Sequence, residues 1–294
     1  MILFSGGALL VGDVGRPDLR VINKSRVGAP TTGYEKRMNQ MLQCIIDQQD
    51  FESACLNLDK LPTVPPYWRR MRGQNQAGPA PLGVLTEPPA IRPDEFARRI
   101  NEGALALDCR SPESFGGGHI PGSLNVGRGN AFPTWAGTVL PPDVPMLLIL
   151  DRASVLWEIT WHLLRIGYDL PPGWLAGGVA AWRTEGRPVE MLPQWSVFQL
   201  QARLGSDQNL KVLDVRQPNE WQDGHMPRTM HISGGKLPQR IAELPLGHPV
   251  AVHCGSGYRS SVAASLLQRA GHENVFNVLG GFIAWKNAGL PVER

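Results

Sequence analysis

Paired cysteines, a long apolar run and a dominant sign of charge are all missing from this 294-residue chain. Its four cysteines, Cys44, Cys55, Cys109 and Cys254, show no C-x-x-C spacing, so neither a disulfide framework nor a zinc site is expected. Unpaired thiols fit a reducing cytoplasm, the expected compartment. No apolar stretch reaches the roughly 18 residues that span a bilayer. The apolar start, Met1-Ile-Leu-Phe, lacks a basic n-region and is interrupted by Gly6, Gly7 and Gly12, so it reads as a strand and turn rather than a signal peptide. The formal charge is only +3, with both signs spread along the chain. The one basic cluster, Arg69-Arg-Met-Arg72, reads as a solvated face. Neither a membrane nor a nucleic-acid partner is therefore expected. Hydrophobic content of 42% and charged content of 19% suit a globular chain with room for two domains.

What is present is concentrated in Val250-Ala-Val-His-Cys-Gly-Ser-Gly-Tyr-Arg-Ser-Ser-Val262. A β-branched apolar run reads as a buried strand ending on Cys254, and the serine-, alanine- and leucine-rich stretch from Ser260 reads as a helix. A cysteine between them faces backbone N–H groups at a helix N-terminus, which favour a thiolate and should lower its pKa. Arg259 adds a permanent positive charge. A free cysteine is by default a small buried hydrophobe. A core strand, however, has no use for Gly255 and Gly257 directly after its end, whereas a loop that must approach a bound group does. Cys254 is expected to be a nucleophile handling an anionic substrate. His253 precedes it on the strand, should face the other way, and is not cast as a base.

Glycine and proline crowd residues 73–93, which read as a linker, and a weaker break falls near Gly186-Arg-Pro-Val. The two stretches behind that linker form an internal repeat. Leu107-Asp-Cys-Arg echoes Leu213-Asp-Val-Arg, and Gly118-His-Ile-Pro121 echoes Gly224-His-Met-Pro227. Gly177-Gly-Val-Ala-Ala-Trp182 echoes Gly280-Gly-Phe-Ile-Ala-Trp285. Each copy alternates strands with helices, so an α/β fold with two mostly parallel sheets flanked by helices is expected. Ligands then bind at strand C-termini, where Cys254 lies. Matching Leu147-Leu-Ile-Leu-Asp151 to the strand before Cys254 sets Asp151 opposite the cysteine. With no thiol, glycine pair or arginine there, the first copy is expected to do no chemistry and to serve packing or to shape a docking surface beside the second copy. Cys109 matches Val215 and reads as a core residue.

These cues resemble the rhodanese family of sulfurtransferases: Asp-Val-Arg, Gly-His-x-Pro, Cys-x-x-Gly-x-Arg-Ser and Gly-Gly-Phe-x-x-Trp in order across about a hundred residues. The resemblance implies that Cys254 accepts sulfane sulfur as a persulfide and passes it to a thiol or cyanide, with no cofactor. It implies that Gly255, Ser256, Gly257, Tyr258 and Ser260 cradle the anion while Arg259 steers a donor such as thiosulfate. The chain departs from the family at Arg228, where a small residue is usual, and this residue is expected to alter the pocket rim. Domains follow as a degenerate copy over 93–190 and an active copy over 195–294, with a linker over 76–92.

Residues 1–75 resemble another family. Leu3-Phe-Ser-Gly-Gly-Ala-Leu-Leu-Val-Gly-Asp-Val-Gly-Arg-Pro-Asp-Leu19 is similar to the late part of a metallo-β-lactamase-fold persulfide dioxygenase, and Thr32-Gly-Tyr-Glu-Lys-Arg-Met-Asn39 to its C-terminal region. The family's His-x-His-x-Asp-His motif is absent and Gly7 stands at a later ligand position, so no bound iron and no dioxygenase activity are expected. The helical stretch over 34–61 and Trp68 would then pack on the first copy or on a second chain, making a homodimer or a dioxygenase partner an expectation. Two other functions remain open at this point. One is a cysteine-dependent phosphatase or arsenate reductase, disfavoured by a loop one residue shorter than theirs. The other is a non-catalytic persulfide carrier.

Overall fold

The computed structural model describes residues 9–10, 13–14, 65–78 and 83–294. The chain divides into two units, Met1–Pro62 and Thr63–Arg294. In the first, β1 (Leu9–Leu10) pairs antiparallel with β2 (Asp13–Val14). The readings placed on 15–61, among them the helix over 34–61, Cys44 and Cys55, lie outside the described residues.

The second unit opens with helix α1 (Pro66–Ala77). The first copy then runs β3 (Ala90–Ile91), α2 (Pro93–Asn101), β4 (Leu105–Asp108), α3 (Pro112–Gly116), β5 (Leu124–Asn125), α4 (Phe132–Val139), β6 (Met146–Ile149), α5 (Leu156–Arg165), β7 (Gly173–Leu175) and α6 (Gly178–Thr184). The second runs β8 (Gln194–Trp195), α7 (Val197–Ser206), β9 (Lys211–Asp214), α8 (Pro218–Gln222), β10 (Thr229–His231), α9 (Leu237–Arg240), β11 (Val250–His253), α10 (Tyr258–Arg269), β12 (Val275–Val278) and α11 (Gly281–Asn287). Each copy is a five-stranded parallel sheet, ordered β3-β7-β6-β4-β5 and β8-β12-β11-β9-β10. Counted from the start of each copy, the two strand orders are identical. The central strands β4, β6, β9 and β11 are mostly apolar and buried, as expected where helices cover both faces of a parallel sheet.

The repeat extends to single hydrogen bonds. Asp108 takes the Arg110 guanidinium, which also donates to Gly118 O; Asp214 takes Arg216, which donates to Gly224 O. The indoles of Trp182 and Trp285 donate to Pro188 O and Pro291 O. Register corrects one sequence match. Asp108 pairs with Ile149 as Asp214 pairs with His253, so Leu150, not Asp151, stands in the place of Cys254. Leu150 is buried as Cys254 is, while Asp151 is exposed. Cys109 does match Val215: their N–H groups donate to Ile149 O and His253 O.

Helix α1 begins inside the span 1–75, ends beyond it, and packs on the first copy. Tyr67 belongs to that copy's core, with Trp68 and Met71 against it, and the Arg70 guanidinium lies over the Tyr168 ring. The two copies share a further element, α10. Its Val262 is buried in the first copy's core, whereas Ala263, Ala264 and Leu267 are buried in the second's.

Candidate functional site

Strand alternation places Cys254. Val250, Val252 and Cys254 join one core cluster with Leu213 and Val215, while Ala251 joins another with Val212 and Val278. His253 therefore faces away from the thiol, as its position before the cysteine requires. It is fully buried, with Nε2 3.6 Å from Asp214 Oδ2 and no hydrogen-bond partner on that nitrogen. Burial lowers its pKa against the opposing pull of Asp214.

Cys254 itself is 1% exposed. Its Sγ accepts from Gly257 N at 3.1 Å and from the Ser260 hydroxyl at 3.6 Å. Gly257 sits at φ +114, a region side-chain-bearing residues avoid, and there the chain turns into α10. Behind the loop, α11 begins on two left-handed glycines, Gly280 and Gly281. Phe282 N donates to Cys254 O at 2.7 Å and Ile283 N to Gly255 O at 3.0 Å. A Cβ on Gly281 would lie 2.3 Å from Cys254 O. That close approach is what the Gly-Gly-Phe motif provides. Because peptides are planar and trans, tying these two carbonyls to α11 turns the N–H groups of Gly255 and Ser256 the other way. Neither of these has an acceptor among the described residues. Oriented, unpaired amides at a strand end are an anion-binding nest.

The remaining loop residues separate. Ser256 is exposed and Ser260 is buried beside the thiol. The Tyr258 side chain leaves the loop: its hydroxyl donates to Gly127 O of the first copy at 2.7 Å, and burial raises its pKa. Arg259 is gripped at two points by Glu220, Nη1 to Oε2 at 2.5 Å and Nη2 to Oε1 at 2.7 Å. That bond holds the guanidinium in its charged form. Burial alone would raise the Glu220 carboxyl, but the bonds from Arg259 and Gln217 N outweigh it and hold the pKa below its usual value. Arg216 Nη1 in turn donates to Glu220 O at 3.0 Å. Sequence reasoning missed Glu220, which lies 39 positions from Arg259. The Asp214–Arg216 pair is repeated in the first copy, where Leu150 stands in the place of Cys254, so it braces the strand-to-helix turn in both.

Arg228 is not on the rim. It precedes β10, whose Thr229 pairs with Val212 near the start of β9, at the sheet end opposite Cys254. Its guanidinium donates to Leu204 O, and it adopts φ 58, the one positive φ of a non-glycine among the described residues. Gly122, at φ 72, holds the equivalent place in the first copy. Cys109 is buried, and burial pushes its thiol well above the usual range. Among the described residues no group of three or more His, Cys, Asp or Glu could hold a metal ion, and no helix is long and apolar enough to cross a membrane.

Comparison with known proteins identifies the repeated unit. The model of the Rhodanese-like domain matches residues 92–185 and 196–288. A sulfurtransferase of Allochromatium vinosum is 34% identical over 93 residues, covering 32% of this chain and 87% of that protein. The thiosulfate sulfurtransferase GlpE of Vibrio cholerae is 35% identical over 82 residues, covering 28% and 77%. The crystal structure of a thiosulfate sulfurtransferase from Pseudomonas aeruginosa aligns at 22% identity and a TM-score of 0.32, covering 70% of this chain and 43% of that one. With the domain model matched twice, over more than half of its length, this chain belongs to the rhodanese-like family, and the curated relatives named here are sulfurtransferases.

Proposed function

We propose that the protein transfers sulfane sulfur from thiosulfate or a persulfide to a thiol or cyanide through a persulfide on Cys254. The observation that carries this reading is the pair of unpaired amides, Gly255 N and Ser256 N, beside a thiol that already accepts from Gly257 N and Ser260. Such donors stabilise a thiolate and then the terminal sulfur of a persulfide without reorganising. The Cys254 thiolate attacks the outer sulfur of thiosulfate, the S–S bond breaks, and sulfite leaves with the electron pair. Cyanide then attacks the outer sulfur of the Cys254 persulfide, forming thiocyanate and restoring the thiolate. Arg259 supplies positive charge to the donor, and Gly255, Ser256, Gly257, Tyr258 and Ser260 contribute loop N–H groups or, for Ser260, its hydroxyl.

In this reading the copy over 195–294 is active and the copy over 93–190 is not, since Leu150 replaces the nucleophile. The resemblance of residues 1–75 to a persulfide dioxygenase favours a persulfide as the physiological donor, and the unpaired cysteines favour a reducing cytoplasm as the compartment. The test is thiosulfate-to-cyanide transfer by the full chain and by Cys254→Ala. Equal rates would sink the proposal.

A further inference from the structure

The first copy has Leu150 where the second has Cys254, yet it holds the helix that follows the Cys254 loop. Tyr258, the first residue of α10 and part of the loop around the thiol, places its hydroxyl 2.7 Å from Gly127 O. Its ring lies against Gly127, where an added Cβ would be 3.3 Å from Tyr258 Cε2. One turn further on, the Ser261 hydroxyl donates to Asn125 Oδ1 at 2.7 Å. Asn125 is fixed before it meets Ser261, because its Nδ2 donates to Asp108 O and Arg110 O, both at 3.1 Å. Asn125 N then donates to Ser265 Oγ at 3.0 Å. β5 is the edge strand of its sheet, and that N–H is an edge donor which α10 satisfies. Arg269, at the far end of α10, donates to Gly122 O at 2.6 Å.

From this chain of bonds we infer that the degenerate copy positions the active one, with Asn125 and Gly127 setting the placement of the Cys254 loop through Ser261 and Tyr258. Both are positioning residues: neither touches the thiol, and each acts through a residue of the loop or of the helix that begins there. The loop requires this support because its donors work only if the start of α10 is held within a fraction of an ångström. Helix α10 is held by the second copy's own core through Ala263, Ala264 and Leu267, and by Val262 and these bonds to the first copy. The inference concerns the reactivity of the thiol and extends the proposed function to the role of the first copy.

The test uses the full chain with Tyr258→Phe, Ser261→Ala and the two combined. Tyr258→Phe keeps the ring and removes only the bond to Gly127. Iodoacetamide alkylation of Cys254 is followed by peptide mass spectrometry across pH, alongside thermal unfolding. The expected result for the double variant is alkylation about tenfold slower near neutral pH. Ser261→Thr, which restores the hydroxyl, should recover the rate of the Ser261 position. Should the double variant fail to fold, Tyr258→Phe alone carries the test, with a smaller slowing of alkylation. A wild-type alkylation profile in Tyr258→Phe and Ser261→Ala would overturn the inference and leave these bonds as packing alone. Because alkylation needs no sulfur donor, its outcome is independent of whether the protein transfers sulfur.

Discussion

Glu220 and Arg259 are joined at two points, at 2.5 and 2.7 Å, and the first copy lacks both. In its register Ser114 stands for Glu220 and Val155 for Arg259, just as Leu150 stands for Cys254. The pair is absent from the copy that lacks Cys254, whereas the Asp–Arg brace is present in both. A fork of this kind fixes the plane of the guanidinium as well as its charge. Glu220→Gln and Arg259→Gln should each lower kcat/KM for sulfur transfer about tenfold, or about 1.4 kcal/mol, and the double variant should be no worse than the weaker single one. Losses that multiply would show that the two residues act separately.

Gly281→Ala should cost far more than its size suggests. The new Cβ would meet Cys254 O at 2.3 Å and the backbone sits at φ +52, so strain and a backbone clash combine. Gly289→Ala is the control, with φ +69 and nothing within 4 Å of the added Cβ. It should lose only the strain, on the order of 1–2 kcal/mol in unfolding free energy. Chemical denaturation of both variants, with transfer assays, would show Gly281→Ala losing activity and Gly289→Ala keeping it.

Buried histidines make the fold sensitive to acid. Burial lowers the folded-state pKa of His253, His119 and His272, so below the unfolded-state value of about 6.5 the unfolded chain binds more protons than the folded one. Stability should therefore fall as pH drops from about 6.5 toward the lowered folded pKa values. The first copy carries Ile149 where the second has His253. His253→Ile should flatten this slope, read from urea midpoints at pH 7 and pH 5. An unchanged slope would assign the effect to the other two histidines.

Arg228→Gly is expected to leave transfer unchanged, because Arg228 lies at the sheet end away from Cys254. Relief at φ 58 is set against loss of the bond to Leu204 O, so the unfolding midpoint should move little. A changed KM for thiosulfate would place Arg228 back on the rim.

Much of this was legible in the sequence. The repeat, the parallel sheets and the strand–loop–helix around Cys254 follow from apolar runs and glycine positions. The off-by-one match of Asp151 has a physical cause: Met146-Leu-Leu-Ile-Leu150 is apolar at every position, so nothing in it marks which residues face which way. Pairing with β4 supplies the missing phase. Glu220 was illegible because a partner 39 residues away leaves no local pattern. The glycines at 280 and 281 were visible as a motif, but their purpose, two carbonyls docked on the start of α11, depends on the packing of separate strands. The hold of the first copy on α10 was likewise invisible, since Asn125 and Ser261 read alone are ordinary polar residues.

The central claim is that Cys254 carries the sulfur. Intact and peptide mass spectrometry after thiosulfate treatment tests it most directly. The account predicts a gain of one sulfur atom on the peptide containing Cys254, removed by cyanide and absent from Cys254→Ala. An unmodified Cys254, or the same gain on Cys109 in its place, would contradict it.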